Sequence, residues 1–152
     1  DTSLGNVGIG TASPSAQLHI GDGVTTSART MQVDNAQSGI AVFGVESSAG
    51  GSVLTGSSAY ATVIANSGAN PIQFGTSDVV RLTILSAGNV GIGTASPTQL
   101  FDVNDDRIRI RTAFTPASAA AAGNQGAFAW DSSYLYICTA TNTWRRVAHA
   151  TW

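Results

Sequence analysis

Apolar residues in this chain gather in short runs, not at helical spacing. The runs at 30–33, 40–45, 52–55, 60–65, 72–74 and 79–85 are rich in Val, Ile, Phe, Tyr and Thr, which fit a pleated, half-buried surface. Turn-forming clusters divide them: Gly21-Asp22-Gly23, Gly50-Gly51, Asn66-Ser67-Gly68 and Asn70-Pro71. Strands of this length and spacing predict an all-β fold with a small β-sandwich or jelly roll over residues 18–87. The alternating stretch Arg107-Ile108-Arg109-Ile110-Arg111 predicts a further strand with one isoleucine face and one arginine face. Asp102, Asp105 and Asp106 precede it and are expected to pair with those arginines between chains. The Ala-rich stretch 116–123 is too short for a stable isolated helix, so it is expected to be a linker ordered by packing. The tail is a predicted hairpin or meander, with strands at 127–130, 134–139 and 143–148 and turns at 131–133 and near Asn142.

An internal repeat punctuates this pattern. Gly5-Asn6-Val7-Gly8-Ile9-Gly10-Thr11-Ala12-Ser13-Pro14 recurs unchanged as Gly88-Asn89-Val90-Gly91-Ile92-Gly93-Thr94-Ala95-Ser96-Pro97, an offset of 83 residues. Solenoid and propeller repeats run about 20 to 50 residues, so this spacing marks a connector between larger units. Alternating Gly with Val and Ile predicts extended backbone that a neighbouring chain can approach closely, until Ser-Pro ends the run. The expected organisation is a connector at 1–17, a β domain at 18–87, a second connector at 88–103 and a C-terminal β domain at 104–152. Val7, Ile9, Val90 and Ile92, with Arg107, Arg109 and Arg111, are the residues expected at contacts between chains.

Composition sharpens this picture. Only 11% of residues are charged, no lysine is present, and 17 glycines suit a turn-rich β protein better than amphipathic helices. A net charge of -2 offers no basic face for nucleic acid, and no apolar run approaches the ~20 residues of a membrane helix. The start at Asp1 without an initiating Met is what a processed chain or an excised piece would show. The one cysteine, Cys138, lies in the run Leu135-Tyr136-Ile137-Cys138 and is expected to be a small buried hydrophobe.

Candidate chemistry is sparse. Gly8-Ile9-Gly10 lacks the third glycine and the following helix of a dinucleotide loop. His19 and His149 have no second His or Cys at ligand spacing, so no metal or other cofactor is expected. Asp105-Asp106 is the only adjacent carboxylate pair, and neighbouring strand residues face opposite ways, which is wrong for a glycosidase pair. Glu46 is the sole glutamate, and no Ser, His and acid grouping has a hydrolase context. The expectation is therefore a protein that is not an enzyme. Trp130, Tyr134, Tyr136 and Trp144 concentrate near the C-terminus. They suit the core of a small terminal domain that has few other large side chains, or a platform for the flat faces of sugars.

The repeated Gly-Asn-Val-Gly-Ile-Gly-Thr followed by Ser-Pro and a short apolar strand resembles connectors in phage tail fibres and tailspikes. The segment Trp130-Asp131-Ser132-Ser133-Tyr134-Leu135-Tyr136-Ile137-Cys138, continuing to Ala148, is similar to the ends of many phage virion proteins. Together these motifs cover about a third of the chain. The resemblance implies an intertwined homotrimer on the virion surface, assembled with other phage structural proteins. It also implies attachment to a host glycan or protein receptor from a tail appendage, with decoration of the capsid exterior as the alternative. Many such fibres end in a self-cleaving chaperone domain, and nothing following Trp152 represents one.

Overall fold

A computed structural model describes residues 5–21, 26–34 and 40–150. The turn expected at Asp22-Gly23, the first residues of the first connector and the final Trp152 lie outside the described residues. Every regular element among the described residues is a strand, so the expected all-β class holds. The chain forms two compact units, Asp1–Asp105 and Asp106–Trp152.

In the first unit, both copies of the repeat adopt one local structure. Strand β1 (Val7–Ile9) pairs in parallel with β2 (Leu18–Ile20), Val7 opposite Leu18. The second copy pairs β8 (Val90–Ile92) with β9 (Phe101–Val103) in the same register, Val90 opposite Phe101. Parallel neighbours normally need a crossover of about a dozen residues or more. Here a tight loop suffices because side chains brace it. Asn6 donates to the Pro14 carbonyl at 3.2 Å, and Asn89 to the Pro97 carbonyl at 3.1 Å. The hydroxyls of Thr11 and Thr94 accept from the backbone of Ser13 and Ser96, each at 3.2 Å.

The glycines of the repeat serve this loop. A β-carbon at Gly91 would stand 2.8 Å from the Thr94 carbonyl oxygen, and one at Gly8 would collide with the Thr11 carbonyl. At Gly8 and Gly91 the space beside the backbone is thus taken by the chain's own turn, while Gly5 and Gly88 have open space beside them. The connector also doubles back at Ser-Pro, where it was expected only to end.

The rest of the first unit comprises two antiparallel arrays. Strands β3 (Arg29–Asp34), β4 (Ile40–Val45) and β5 (Thr62–Asn66) form a three-stranded sheet, with Val42, Val63 and Ala65 buried. Strands β6 (Ile72–Thr76) and β7 (Val79–Ile84) form a hairpin whose second strand pairs with β8, placing the second repeat in a four-stranded sheet. Positive φ at Ser77 and Asp78, 52° and 60°, gives the hairpin the turn twist that suits right-twisted strands.

The run 52–55, expected to be a strand, is a loop instead. Its backbone amides turn onto the buried carboxylate of Glu46, which accepts from Ser52 at 2.9 Å, Val53 at 3.0 Å, Leu54 at 2.8 Å and the Ser57 hydroxyl at 2.7 Å. These donors hold its pKa at about 2, below the ordinary value of 4.5. A ladder would have claimed the same N–H groups, and the charge outcompetes it.

The second unit is the meander β10 (Phe128–Trp130), β11 (Tyr134–Ala140) and β12 (Thr143–Ala148), in that spatial order. Residues 107–111 form no strand, which corrects the expectation from their alternation. A strand needs a ladder partner, and none of the described strands forms a ladder with this segment. The Ala-rich stretch is a series of turns fastened to the sheet: Ala119 accepts from the Trp144 amide at 2.8 Å, and Gly123 accepts from the Asn142 amide at 2.9 Å.

Candidate functional site

Strand alternation divides the terminal sheet into two faces. Ala129, Tyr136, Cys138 and Trp144 point to one side and form its buried core, with Ala121, Ala127 and Tyr134 packed around them. Cys138 is fully buried, in the role expected of it. The Trp144 indole donates to the Ala121 carbonyl at 3.2 Å and lies 6.0 Å from the Phe114 ring. Gly123 is obligatory here, because a β-carbon would stand 2.7 Å from the indole.

At the edge of this core, Asp131 organises the turn that joins β10 to β11. One carboxylate oxygen accepts from the amides of Ser133 and Tyr134, both at 2.8 Å. The other accepts from the Tyr136 hydroxyl at 2.6 Å and the Thr115 hydroxyl at 2.8 Å. The Tyr136 hydrogen bond, with the others, pulls the Asp131 carboxyl well below the usual carboxylate range. The same bond raises the Tyr136 phenol, with burial adding to the effect and the nearby Arg146 opposing it. The Arg146 guanidinium stacks 4.1 Å above the Tyr134 ring.

Beside this network lies an open cleft of about 470 Å³. Pro116, Ala117, Ser118 and Ala119 form one wall; Tyr136, Trp144, Arg145 and Arg146 form the other. Its chemistry is a mixture of apolar surface, aromatic rim and fixed positive charge, which suits a ligand with a flat apolar face and an anionic group.

The four aromatic residues singled out from sequence do not make one platform. Trp130 is opposite Leu135 in the register and so belongs to the face away from Tyr134, Tyr136 and Trp144. Tyr136 and Trp144 are core residues at 4% and 7% exposure, and they border the cleft without offering a free ring face. Tyr134 is half-buried beneath Arg146. Sequence reasoning passed over Arg145 and Arg146, although their adjacency to Trp144 on a strand was the available signal. It also passed over the segment 116–119, whose place in the cleft depends on the Ala119 to Trp144 hydrogen bond.

The residues expected between chains are found at the surface of their own units. Val7, Ile9 and Ile92 are exposed, and Val90 is half-buried. Arg109 and Arg111 are exposed, while Arg107 pairs with its sequence neighbour Asp106 at 2.8 Å. Among the described residues, the carboxylates with perturbed ionisation, Glu46, Asp102 and Asp131, all move downward through hydrogen bonds. A glycosidase proton donor needs the opposite shift.

No protein-family model matches the chain. Part of it is similar to two curated phage proteins. It is 43% identical over 58 residues to the capsule K30/K69-specific depolymerase of Klebsiella phage K64-1, covering 38% of this chain and 7% of that protein. It is 54% identical over 41 residues to depolymerase 1, capsule K30/K69-specific, of Klebsiella phage K5-2, covering 27% of this chain and 5% of that protein. The chain thus spans only a small fraction of the length of these relatives. The similarity is to phage proteins and lends nothing to the capsid-exterior alternative. It also corrects the expectation of a protein that is not an enzyme, since both relatives carry the name of one. That expectation rested on the carboxylates of 152 residues, too small a share of such a protein to decide the matter.

Proposed function

We propose that the chain is a segment of a homotrimeric bacteriophage tail spike that recognises host capsule, and that the whole protein depolymerises it. The observation that carries this reading is the partial identity to two capsule depolymerases. The braced repeat modules then serve as joints between larger units, and the terminal unit presents a saccharide-facing cleft. Arg145 and Arg146 favour a sugar bearing a carboxylate, while the rims of Tyr136 and Trp144 provide apolar contact. Contacts of this kind are individually weak, and three linked copies would multiply their avidity.

The first test is to incubate the full-length protein with purified capsular polysaccharides, starting with types K30 and K69, and follow reducing ends and viscosity. Cleavage of at least one type supports the reading. Inertness across a broad capsule panel, with neither binding nor cleavage, removes it. For the cleft, the indole fluorescence of Trp144 is the reporter: acidic capsule oligosaccharides should perturb it, and Arg145→Ala should weaken that response about tenfold. An unchanged response in the variant places the sugar elsewhere.

A further inference from the structure

A net charge of -2 conceals an uneven distribution. The second unit holds five of the seven arginines and two of the nine acidic residues, a formal +3, which leaves the first unit at -5. Both acids of the second unit are already engaged. Asp131 accepts from the amides of Ser133 and Tyr134 and from the hydroxyls of Tyr136 and Thr115, and Asp106 pairs with Arg107. Arg109 and Arg111 are exposed, and among the described residues no carboxylate pairs with them.

These two arginines are held in place although their segment forms no strand. The Trp130 indole donates to the carbonyl of Ile110, the residue between them, at 3.0 Å, and the Phe114 amide donates to the Trp130 carbonyl at 2.9 Å. The two bonds fasten 110–114 to β10, one edge of the terminal sheet. Arg145 and Arg146 are on β12, the other edge. Two strand spacings, about 10 Å of backbone, separate the edges. A backbone fixed in advance at Ile110 reduces the ordering that a ligand of its neighbours would otherwise have to impose.

We infer that Arg109 and Arg111, positioned by Trp130, form a second anion-binding strip for an acidic polysaccharide, apart from the Arg145–Arg146 cleft. The planar guanidinium matches a carboxylate through two parallel hydrogen bonds, and every basic side chain in this chain other than histidine is an arginine. A single sugar does not reach from one edge of the sheet to the other, whereas a chain of several engages both, and each contact strengthens the other. Acidic polysaccharides place their carboxylates among neutral sugars, which suits two arginine pairs set apart. Nucleic acid carries a charge at every nucleotide and calls for a denser basic face with free rings for its bases, and Trp130 is half-buried. The inference rests on the saccharide reading above for its ligand and adds a contact that the cleft does not supply.

The experiment measures binding of the full chain to immobilised polygalacturonate over a salt series, with dextran as the neutral control. The wild type should bind polygalacturonate and not dextran, more weakly as salt rises. Arg109→Gln with Arg111→Gln should lower the affinity about 3- to 30-fold, the range that two solvent-exposed ion pairs supply. Both side chains are exposed, so near-UV circular dichroism from Tyr136 and Trp144 should persist. Arg29→Gln with Arg81→Gln removes the same charge from the first unit and should leave the affinity within twofold of wild type. Unchanged affinity in the first pair, or an equal loss in the second, overturns the inference. Tighter binding to single-stranded poly(dT) than to polygalacturonate at equal salt also overturns it, by assigning the arginines to nucleic acid. A protein that cleaves capsule while the Arg109 and Arg111 pair binds polygalacturonate as wild type loses the strip and keeps the proposed function; inertness toward every capsule, with polygalacturonate binding that depends on the pair, does the reverse.

Discussion

Trp144→Ala tests the energetic basis of the terminal unit. The buried core comprises Ala129, Tyr136, Cys138 and Trp144, so the indole is its largest component. A buried Trp removes about 200 Å² from water, worth ~5 kcal/mol at roughly 25 cal/mol per Å². Measured truncations of large aromatics cluster at about 3–5 kcal/mol. A unit the size of 106–152 has only about 2–7 kcal/mol of stability at ~0.05–0.15 kcal/mol per residue. Trp144→Ala should therefore unfold this unit, or nearly so, at 25 °C. Trp144→Phe keeps a ring but loses the bond to Ala121, and should cost about 1–2 kcal/mol. Hydrogen exchange read by mass spectrometry is the suitable assay, because it resolves the amides of β10, β11 and β12 within the full chain. Protection there should collapse in Trp144→Ala and fall about 5- to 30-fold in Trp144→Phe. Protection in Trp144→Ala within tenfold of wild type would show that the indole does not hold the sheet, and the account of the core would be wrong.

Other outcomes follow from the same contacts. Glu46 has a depressed folded pKa, about 2 against 4.5, so its stabilisation is complete above the ordinary value and disappears as pH falls through about 2. Glu46→Gln should lower stability at neutral pH and flatten the acid limb of a denaturation series; an acid limb as steep as wild type would contradict this. Asp131→Asn should return the Tyr136 phenol toward its ordinary value and loosen the 131–133 turn, and ultraviolet titration of the tyrosines reads the first effect. Gly91→Ala places a β-carbon against the Thr94 carbonyl and should cost about 1–3 kcal/mol, lowering Tm by roughly 4–8 °C per kcal/mol. Gly8→Ala meets a similar clash in a two-stranded sheet and should perturb fewer pairings, so equal losses of exchange protection around the two sites would speak against the topology.

Much of the fold was legible because local signals agreed. Strand β4 occupies the predicted 40–45, and the tail meander follows from hydrophobic runs separated by Asp131-Ser132-Ser133 and Asn142, whose φ of 57° suits Asn. Two misreadings had physical causes. Residues 52–55 have strand-like composition, but the nearest unsatisfied acceptor was the Glu46 carboxylate, eight residues or fewer back along the chain, and sequence patterns do not show such competition. Residues 107–111 alternate cleanly, but alternation describes the faces of a strand without providing its partner. The cleft was legible only in part. Its aromatics were visible as a cluster, whereas their burial, the opposite facing of Trp130 and the approach of 116–119 depend on register and on single hydrogen bonds.

The two repeat copies show how much local structure a decapeptide and the short strand after it share in different sheets. One sits in a two-stranded sheet and the other in a four-stranded one, yet the parallel register, the Asn brace and the Thr turn are the same. Where the copies diverge, the interaction persists with different chemistry. His19 accepts the Ser15 amide at 3.3 Å through Nδ1, and Asp102, at the equivalent position, accepts the Thr98 amide at 2.7 Å. Leu18 and Phe101 differ in size but occupy matching places in the ladder. A module whose geometry is fixed by its own backbone and short polar side chains can be inserted between units of differing size without redesign. That property fits the proposed role as a recurring joint in a long spike.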